Sequence, residues 1–287
     1  MSYVTSEKLL LDAKKGGYAV GAFNFENLEM AMAIIAAAEE CRAPVIMQTT
    51  PSTVKYASLE SFSGIIKALA EKATVPVALH LDHGSSYELA VSAMLAGYSS
   101  VMIDGSKETL DKNISVTRKV VLAVDGRIPV EAELGTVGGK EDSTESTGTA
   151  YTDPEDAVKF VESTGCSSLA VGIGTAHGIY SGIPVLDVER LSEIKNRLVE
   201  TDNDIPLVLH GASGLTDESV RECVKRGICK VNFATELRQA YTEGVKEYLA
   251  SDPDVFDPKK YGKAAMAKVK DAVIYRIKVC GCDGKAE

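Results

Sequence analysis

The sequence predicts an α/β fold of the (β/α)8 TIM-barrel type, with an extra helix before the first strand and a helical extension after the eighth unit. Three observations predict it. A short apolar run, a polar loop, an amphipathic segment and a glycine recur along the chain, and alternating strand and helix implies a parallel sheet. The apolar runs are continuous rather than alternating, as strands buried on both faces should be. The 287 residues suit a barrel of about 250 residues with additions at its ends, as a single domain spanning 1–287.

The elements follow in order. A helix over Ser6–Lys15 precedes the first strand. Strands are predicted at Ala19–Phe25, Pro44–Thr49, Val75–Asp82, Ser100–Asp104, Ile128–Leu134, Ser168–Ile173, Pro206–His210 and Lys230–Ala234. Between them, Leu28, Ala31, Met32 and Ile35 fall at helical spacing and predict one apolar stripe; Leu237, Ala240, Tyr241, Gly244, Val245 and Tyr248 predict another. Asp153-Pro154-Glu155 reads as an N-cap, a first-turn proline and a favourable acid. Gly16, Gly97, Gly165 and Gly227 stand where left-handed C-caps are wanted. Helical material over Pro258–Lys278 ends the pattern. An open doubly wound sheet is the alternative, weakened because no GxGxxG opens the first helix.

Composition narrows the function. A net charge of −10 argues against nucleic acid, whose phosphates call for basic surfaces. No apolar run is long enough for a membrane span, and the N-terminal residues lack the pattern of a secretory signal. The six cysteines are scattered, as expected of reduced thiols in a cytoplasmic protein. Cys280-Gly281-Cys282 has no answering pair and reads as a surface tail.

Two features carry chemistry. Gly135–Thr152 is longer than an ordinary βα connection, and on the active face of a barrel it reads as a mobile lid. Three of the four histidines, His83, His177 and His210, fall at or just past the ends of strands three, six and seven, on the rim where barrel active sites are built. Neutral imidazoles converging from separate strands suit a catalytic zinc ion with one position open. His80, inside strand three, reads as a core or supporting residue. Asp82, next to His83, could orient a ligand, bind the metal or move a proton. Gly174–Gly178 and His210–Gly214 are small-residue loops that expose backbone N–H groups to an anion, and barrels often hold phosphate in the loops after strands seven and eight.

Taken together, Gly21-Ala22-Phe23-Asn24, His80-Leu81-Asp82-His83-Gly84, Gly135–Asp142, the His177 loop, Gly211-Ala212-Ser213-Gly214 and Val231-Asn232-Phe233-Ala234-Thr235 resemble the class II (zinc-dependent) ketose-bisphosphate aldolases over essentially the whole chain. The resemblance implies that His83, His177 and His210 hold Zn2+. Asp82 would handle the proton on the C4 oxygen, and Glu141 the proton at C3 of dihydroxyacetone phosphate. Glu133 would mark a second or alternative metal position, and Asn24 would hydrogen-bond the enediolate. Gly178, Gly211, Ser213, Asn232 and Thr235 would cradle one phosphate, with Thr50 a candidate for the second. A monovalent cation (Na+ or K+) on nearby backbone oxygens, and a homodimer or homotetramer, are further implications.

The chemistry agrees with itself. A bond broken beside a carbonyl leaves a carbanion, which a Lewis acid can stabilise while a carboxylate moves protons. The metal-free route needs a Schiff-base lysine, and no lysine ends strand six; Lys230 sits at the wrong end of strand eight. Such enzymes cleave fructose or tagatose 1,6-bisphosphate, epimers at C4. Fructose-type members often carry an aspartate where this chain has Ala234, so the motif, like Val279–Cys282, leans to tagatose, with fructose 1,6-bisphosphate the alternative. A metal-free phosphate-binding isomerase or synthase, and a non-catalytic barrel, are the rival readings.

Overall fold

Eight parallel strands close on themselves: β1 (Val20–Asn24), β2 (Val45–Thr49), β3 (Val77–Gly84), β4 (Ser100–Ile103), β5 (Val130–Leu134), then β8 (Ser168–Val171), β10 (Leu207–Leu209) and β11 (Ile228–Phe233), the last pairing with β1. This computed structural model describes residues 2–141, 144–146, 150–178, 182 and 184–286, with the backbone alone at 140, 141 and 144–146. Each barrel strand falls within about two residues of its predicted place, because a run buried on both faces has no polar side to blur its limits.

The helices wrap the barrel: α2 (Leu28–Glu40), α3 (Pro51–Ala57), α4 (Leu59–Ala70), α5 (Tyr87–Ala96), α6 (Leu110–Val124), α7 (Pro154–Thr164), α8 (Val188–Glu200), α9 (Asp217–Lys225) and α10 (Thr235–Ser251). The Asp153 side chain caps α7 as its sequence predicts, accepting from the N–H groups of Glu155 and Asp156. Gly97 and Gly165 are left-handed C-caps, but the first helix, α1 (Ser6–Gly16), is capped by Gly17 at φ 65°, one residue beyond the predicted Gly16.

Two packing expectations are corrected. The predicted stripe on α2 is rotated: Leu28 and Met32 are 45% and 40% exposed, and Met30, Ala31, Ile34, Ala37 and Ala38 are buried. The reason lies downstream. The helix α11 (Pro258–Val279) lies across both α2 and α10, so α2 buries more than one stripe. The predicted surface tail at Cys280–Cys282 is likewise interior. Cys280 and Cys282 are 1% and 0% exposed, because the segment after α11 folds against β1: Ala19 N–H donates to Cys280 O at 3.1 Å.

At the opposite end, α1 packs beneath the barrel, with Ser6 Oγ donating to Ser100 Oγ at 2.8 Å. Among the described residues no helix is long and apolar enough to cross a membrane.

The predicted loop Gly135–Thr152 contains a hairpin. The strands β6 (Gly138–Glu141) and β7 (Thr144–Ser146) run antiparallel, and β6 pairs in parallel with β9 (Ala176–His177). Its glycines hid the strand in the sequence, yet here glycine is required. A Cβ on Gly139, at φ 87°, would stand 2.2 Å from the His177 carbonyl oxygen.

Candidate active site

Barrel strands alternate inward and outward, so acids, amides and histidines two residues apart share the interior. His80 and Asp82 on β3, Glu131 and Glu133 on β5, and Lys230 and Asn232 on β11 are all buried. By alternation His83 would turn away from Asp82. The register between β3 and β4 shifts between Leu81 and Gly84, and His83 takes φ 47°, a left-handed backbone uncommon outside glycine. The bulge returns His83 to the mouth. Gly84 permits it, since a Cβ there would stand 2.2 Å from the Met102 carbonyl oxygen.

The structure brings His83, His177 and His210 together with one ligand atom each inside 4.8 Å. Their tautomers follow from their partners. His83 Nδ1 lies 2.9 Å from Asp104 Oδ2, and His210 Nε2 lies 2.9 Å from Glu131 Oε1. A carboxylate accepts only, so both contacted nitrogens carry the proton. That leaves His83 Nε2 and His210 Nδ1 as lone-pair atoms facing each other at 2.9 Å. Two lone pairs so close repel unless a proton or a metal cation lies between them, and with a ligand atom of His177 inside 4.8 Å the three-nitrogen donor set fits a zinc ion. His83, Asp104 and Glu133 form a second group of the same compactness.

The carboxyls differ in state, each for a stated reason. Burial opposes the charge on Glu131, but the Lys230 ammonium at 2.8 Å and the His210 N–H outweigh it and hold the carboxyl well below its ordinary range. Asp104 is held low in the same way, burial being overcome by His83 and by the Ser106 hydroxyl and N–H. Glu133 lacks a cation of its own. Burial, reinforced by the nearby Asp104 charge, pushes it up to about 7, and its Oε2 is buried without a hydrogen-bond partner. Burial, then Lys230, drives His80 well below its usual value, so it is neutral. Its Nδ1 is 2.7 Å from Ser100 Oγ.

Asp82 lies fully buried beside the cluster. Asn24 Nδ2 (2.9 Å) and Gln48 Nε2 (3.2 Å) donate to its Oδ2, and Asn232 Nδ2 (3.0 Å) donates to its Oδ1. Its Oδ1 stands 3.9 Å from His83 Nε2. Three amides thus aim one carboxylate at the histidines.

Two hollows meet at His177. The smaller is lined by Asn24, His177, Gly178, Gly211, Ser213, Asn232, Ala234, Thr235 and Arg238, so all five residues of the predicted phosphate cradle stand together. Gly178 and Gly211 have φ 90° and 66°, and a Cβ on Gly211 would stand 2.6 Å from the Ala176 carbonyl oxygen. No side chain caps the start of α10, whose first turn opens on this hollow with the positive end of its dipole. The larger hollow, about 940 Å³, is bounded by Thr50, Ser52, Lys55, His83, Asp104, Lys107, Glu133 and Gly139 among others. Thr50 therefore lines the larger hollow and not the cradle. The backbone of Glu141 belongs to β6; its side chain lies outside the described residues.

Sequence reasoning missed Asp104, Glu131, Gln48 and Arg238, and weighed Lys230 only as a Schiff-base lysine. For Glu131 a signal was present: two acids at i and i+2 in a strand buried on both faces must both point into the barrel. Asp104, at the end of strand four, was equally legible as a rim acid. Nothing in the sequence marks Gln48, or Arg238, which pairs with Glu26 at 2.7 Å.

A closed parallel barrel whose C-terminal rim gathers three histidines, a buried carboxylate and a hollow walled by glycines is built as an enzyme. The comparisons name its class. The family described as fructose-bisphosphate aldolase class-II matches residues 4–285, and the chain belongs to that family: it is an aldol-cleaving lyase. The YdjI aldolase of Escherichia coli K12 is 38% identical, with a TM-score of 0.88 over 99% of this chain and 100% of its own. A Coccidioides immitis protein described as a fructose-1,6-bisphosphate aldolase is 31% identical, TM-score 0.89, covering 97% of this chain and 96% of its own. The fructose-bisphosphate aldolase of Campylobacter jejuni, at 23% identity and TM-score 0.85 over 99% and 97%, shares the fold.

Proposed function

We propose that the whole chain, 1–287, works as one barrel domain that reversibly cleaves a ketose 1,6-bisphosphate, tagatose 1,6-bisphosphate in preference to fructose 1,6-bisphosphate, to dihydroxyacetone phosphate and glyceraldehyde 3-phosphate, with zinc at His83, His177 and His210. The observation that carries this reading is the pair of facing lone-pair nitrogens at 2.9 Å, each set by its own carboxylate. Zinc bound there would supply a Lewis acid that draws electron density from the ketone at C2.

The residues divide the remaining work. Gly178, Gly211, Ser213, Asn232 and Thr235 hold the phosphate next to C1, with Arg238 adding positive charge at the α10 N-terminus. That grip fixes the ketone end against the histidines, so the C3–C4 bond lies near Asp82. Asp82 takes the proton from the C4 hydroxyl as that bond breaks; C4 leaves as the aldehyde and its bonding pair stays on C3. Asn24 steadies Asp82 and reaches the same hollow, where it can donate to the oxygens of the three-carbon half. Glu141 returns a proton to C3. Glu133 marks the alternative metal position. Thr50, with Ser52, Lys55 and Lys107, faces the other end of the sugar and its second phosphate. A monovalent cation on the cradle's backbone oxygens, a homodimer or homotetramer, and a cytoplasmic site of action complete the reading.

Ala234 supports the tagatose preference, because it lines the cradle where an aspartate could hydrogen-bond a hydroxyl and an alanine cannot. The test is cleavage of both bisphosphates side by side, with and without chelator. Chelator-sensitive cleavage that is faster on the tagatose sugar is expected. Activity surviving complete chelation would end the zinc reading, and faster fructose cleavage would end the tagatose preference. Glu141→Ala should abolish hydrogen exchange at C3 of dihydroxyacetone phosphate with unchanged zinc content; normal exchange would remove Glu141 from its role.

A further inference from the structure

Lys230 is a lysine with no place in the cleavage chemistry, buried at 1% exposure on β11. Its Nζ donates to both oxygens of Glu131, at 2.8 and 3.1 Å. Glu131 is itself 2% exposed, and its Oε1 also accepts the His210 Nε2–H at 2.9 Å. A buried ion pair of this kind stabilises a fold no better than well-packed apolar residues of the same volume, and often less well. Packing alone therefore does not account for it.

We propose that Lys230 is a positioning residue for the metal centre: by engaging both oxygens of Glu131 it fixes that carboxylate on His210 Nε2–H and so aims His210 Nδ1 at the shared site. The inference rests on the three-histidine reading above. Two further observations support it. A competitor for the carboxylate is close by, since the buried Nε2 of His80 stands 3.8 Å from Glu131 Oε2 and has no hydrogen-bond partner. Without the lysine, Glu131 can turn toward His80 and release the His210 ring. Asp104, which does the same service for His83, is half-buried at the rim and is held by the Ser106 N–H (3.0 Å) and hydroxyl (2.7 Å). The deep carboxylate on β5 is held instead by a lysine on β11, three strands away around the barrel. Partners that orient a metal-bound imidazole commonly change metal affinity by about 10- to 100-fold.

The experiment is zinc affinity by competition with a chromophoric chelator, together with the visible spectrum of the cobalt-substituted protein and a thermal melt, on the full chain. Lys230→Met should bind zinc about 10- to 100-fold more weakly and shift the cobalt spectrum. In a Glu131→Gln background the same substitution should change zinc affinity by less than about twofold, because its route to His210 has been altered already. Should Lys230→Met fail to fold, Glu131→Leu/Lys230→Met removes both buried charges together, and should still bind zinc about 10- to 100-fold more weakly than the wild type. Wild-type affinity and spectrum in either folded variant would overturn the proposal, as would an equal loss from Lys230→Met in both backgrounds. A wild-type chain that took up no zinc would overturn the metal reading itself, so the two failures are told apart.

Discussion

The two hollows that meet at His177 are made of different material. The small one is walled by glycine backbone, the uncapped start of α10 and short polar side chains. The large one is lined by longer side chains, among them Lys55 and Lys107, for which no ion pair or hydrogen bond occurs among the described residues. Backbone donors are fixed by the fold and cannot be retuned by substitution, whereas side chains can. The contrast teaches that a group bound in the small hollow would meet donors set by the fold, whereas the wider hollow, and Ala234 in the wall of the small one, can be altered by substitution.

The largest effect should come from Asp82, which serves both halves. Asp82→Ala is expected to lower cleavage by about 1000-fold while zinc content, read by metal analysis, stays at the wild-type level. Loss of zinc in that variant would make Asp82 part of the metal's support and blur the division of labour. Next comes the backbone wall. Gly211→Ala forces a Cβ to 2.6 Å from the Ala176 carbonyl oxygen at φ 66°, and should raise KM for dihydroxyacetone phosphate by at least about 10-fold whatever the aldehyde partner. An effect confined to one aldehyde would break the comparison.

Lys55→Ala and Lys107→Ala should act oppositely. Each is expected to lower kcat/KM for a phosphorylated aldehyde by about 5-fold, the scale of one exposed charge contact, and to leave C3 exchange of dihydroxyacetone phosphate unchanged. Equal losses in both assays would place the lysines in the common machinery.

The smallest effect concerns the scaffold behind both hollows. Burial pushes the Cys166 thiol up to about 11 and the Cys280 thiol up to about 12, from 9.0. The folded state then holds these protons more tightly than the unfolded chain. Their contribution to stability is complete below pH 9 and is lost as pH rises through 11 and 12. Melting temperature should therefore fall above pH 9, and less steeply in Cys166→Ala. An unchanged slope in that variant would remove Cys166 from the cause.

The eight barrel strands were legible because strand burial on two faces writes a continuous apolar run into the sequence. His83, His177 and His210 were legible because they end such runs. The hairpin β6–β7 was not, since its glycines are selected by the close approach of Gly139 to His177, a contact made across 38 residues of chain. Nor was the burial of α2, whose exposed and buried faces depend on α11 arriving from the far end of the sequence.

By itself the sequence determined the barrel, the rim position of the histidines and the residues that line the smaller hollow, because each is written as local periodicity or as a motif at a strand end. Tertiary structure decided which nitrogens of His83 and His210 face each other, which carboxylate is charged, and that Lys230 meets Glu131. Those depend on Asp104 meeting His83 across 21 residues of chain, Glu131 meeting His210 across 79, and Lys230 meeting Glu131 across 99. Hydrogen-bond partners that far apart are fixed by the closing of the barrel, and no local pattern records them.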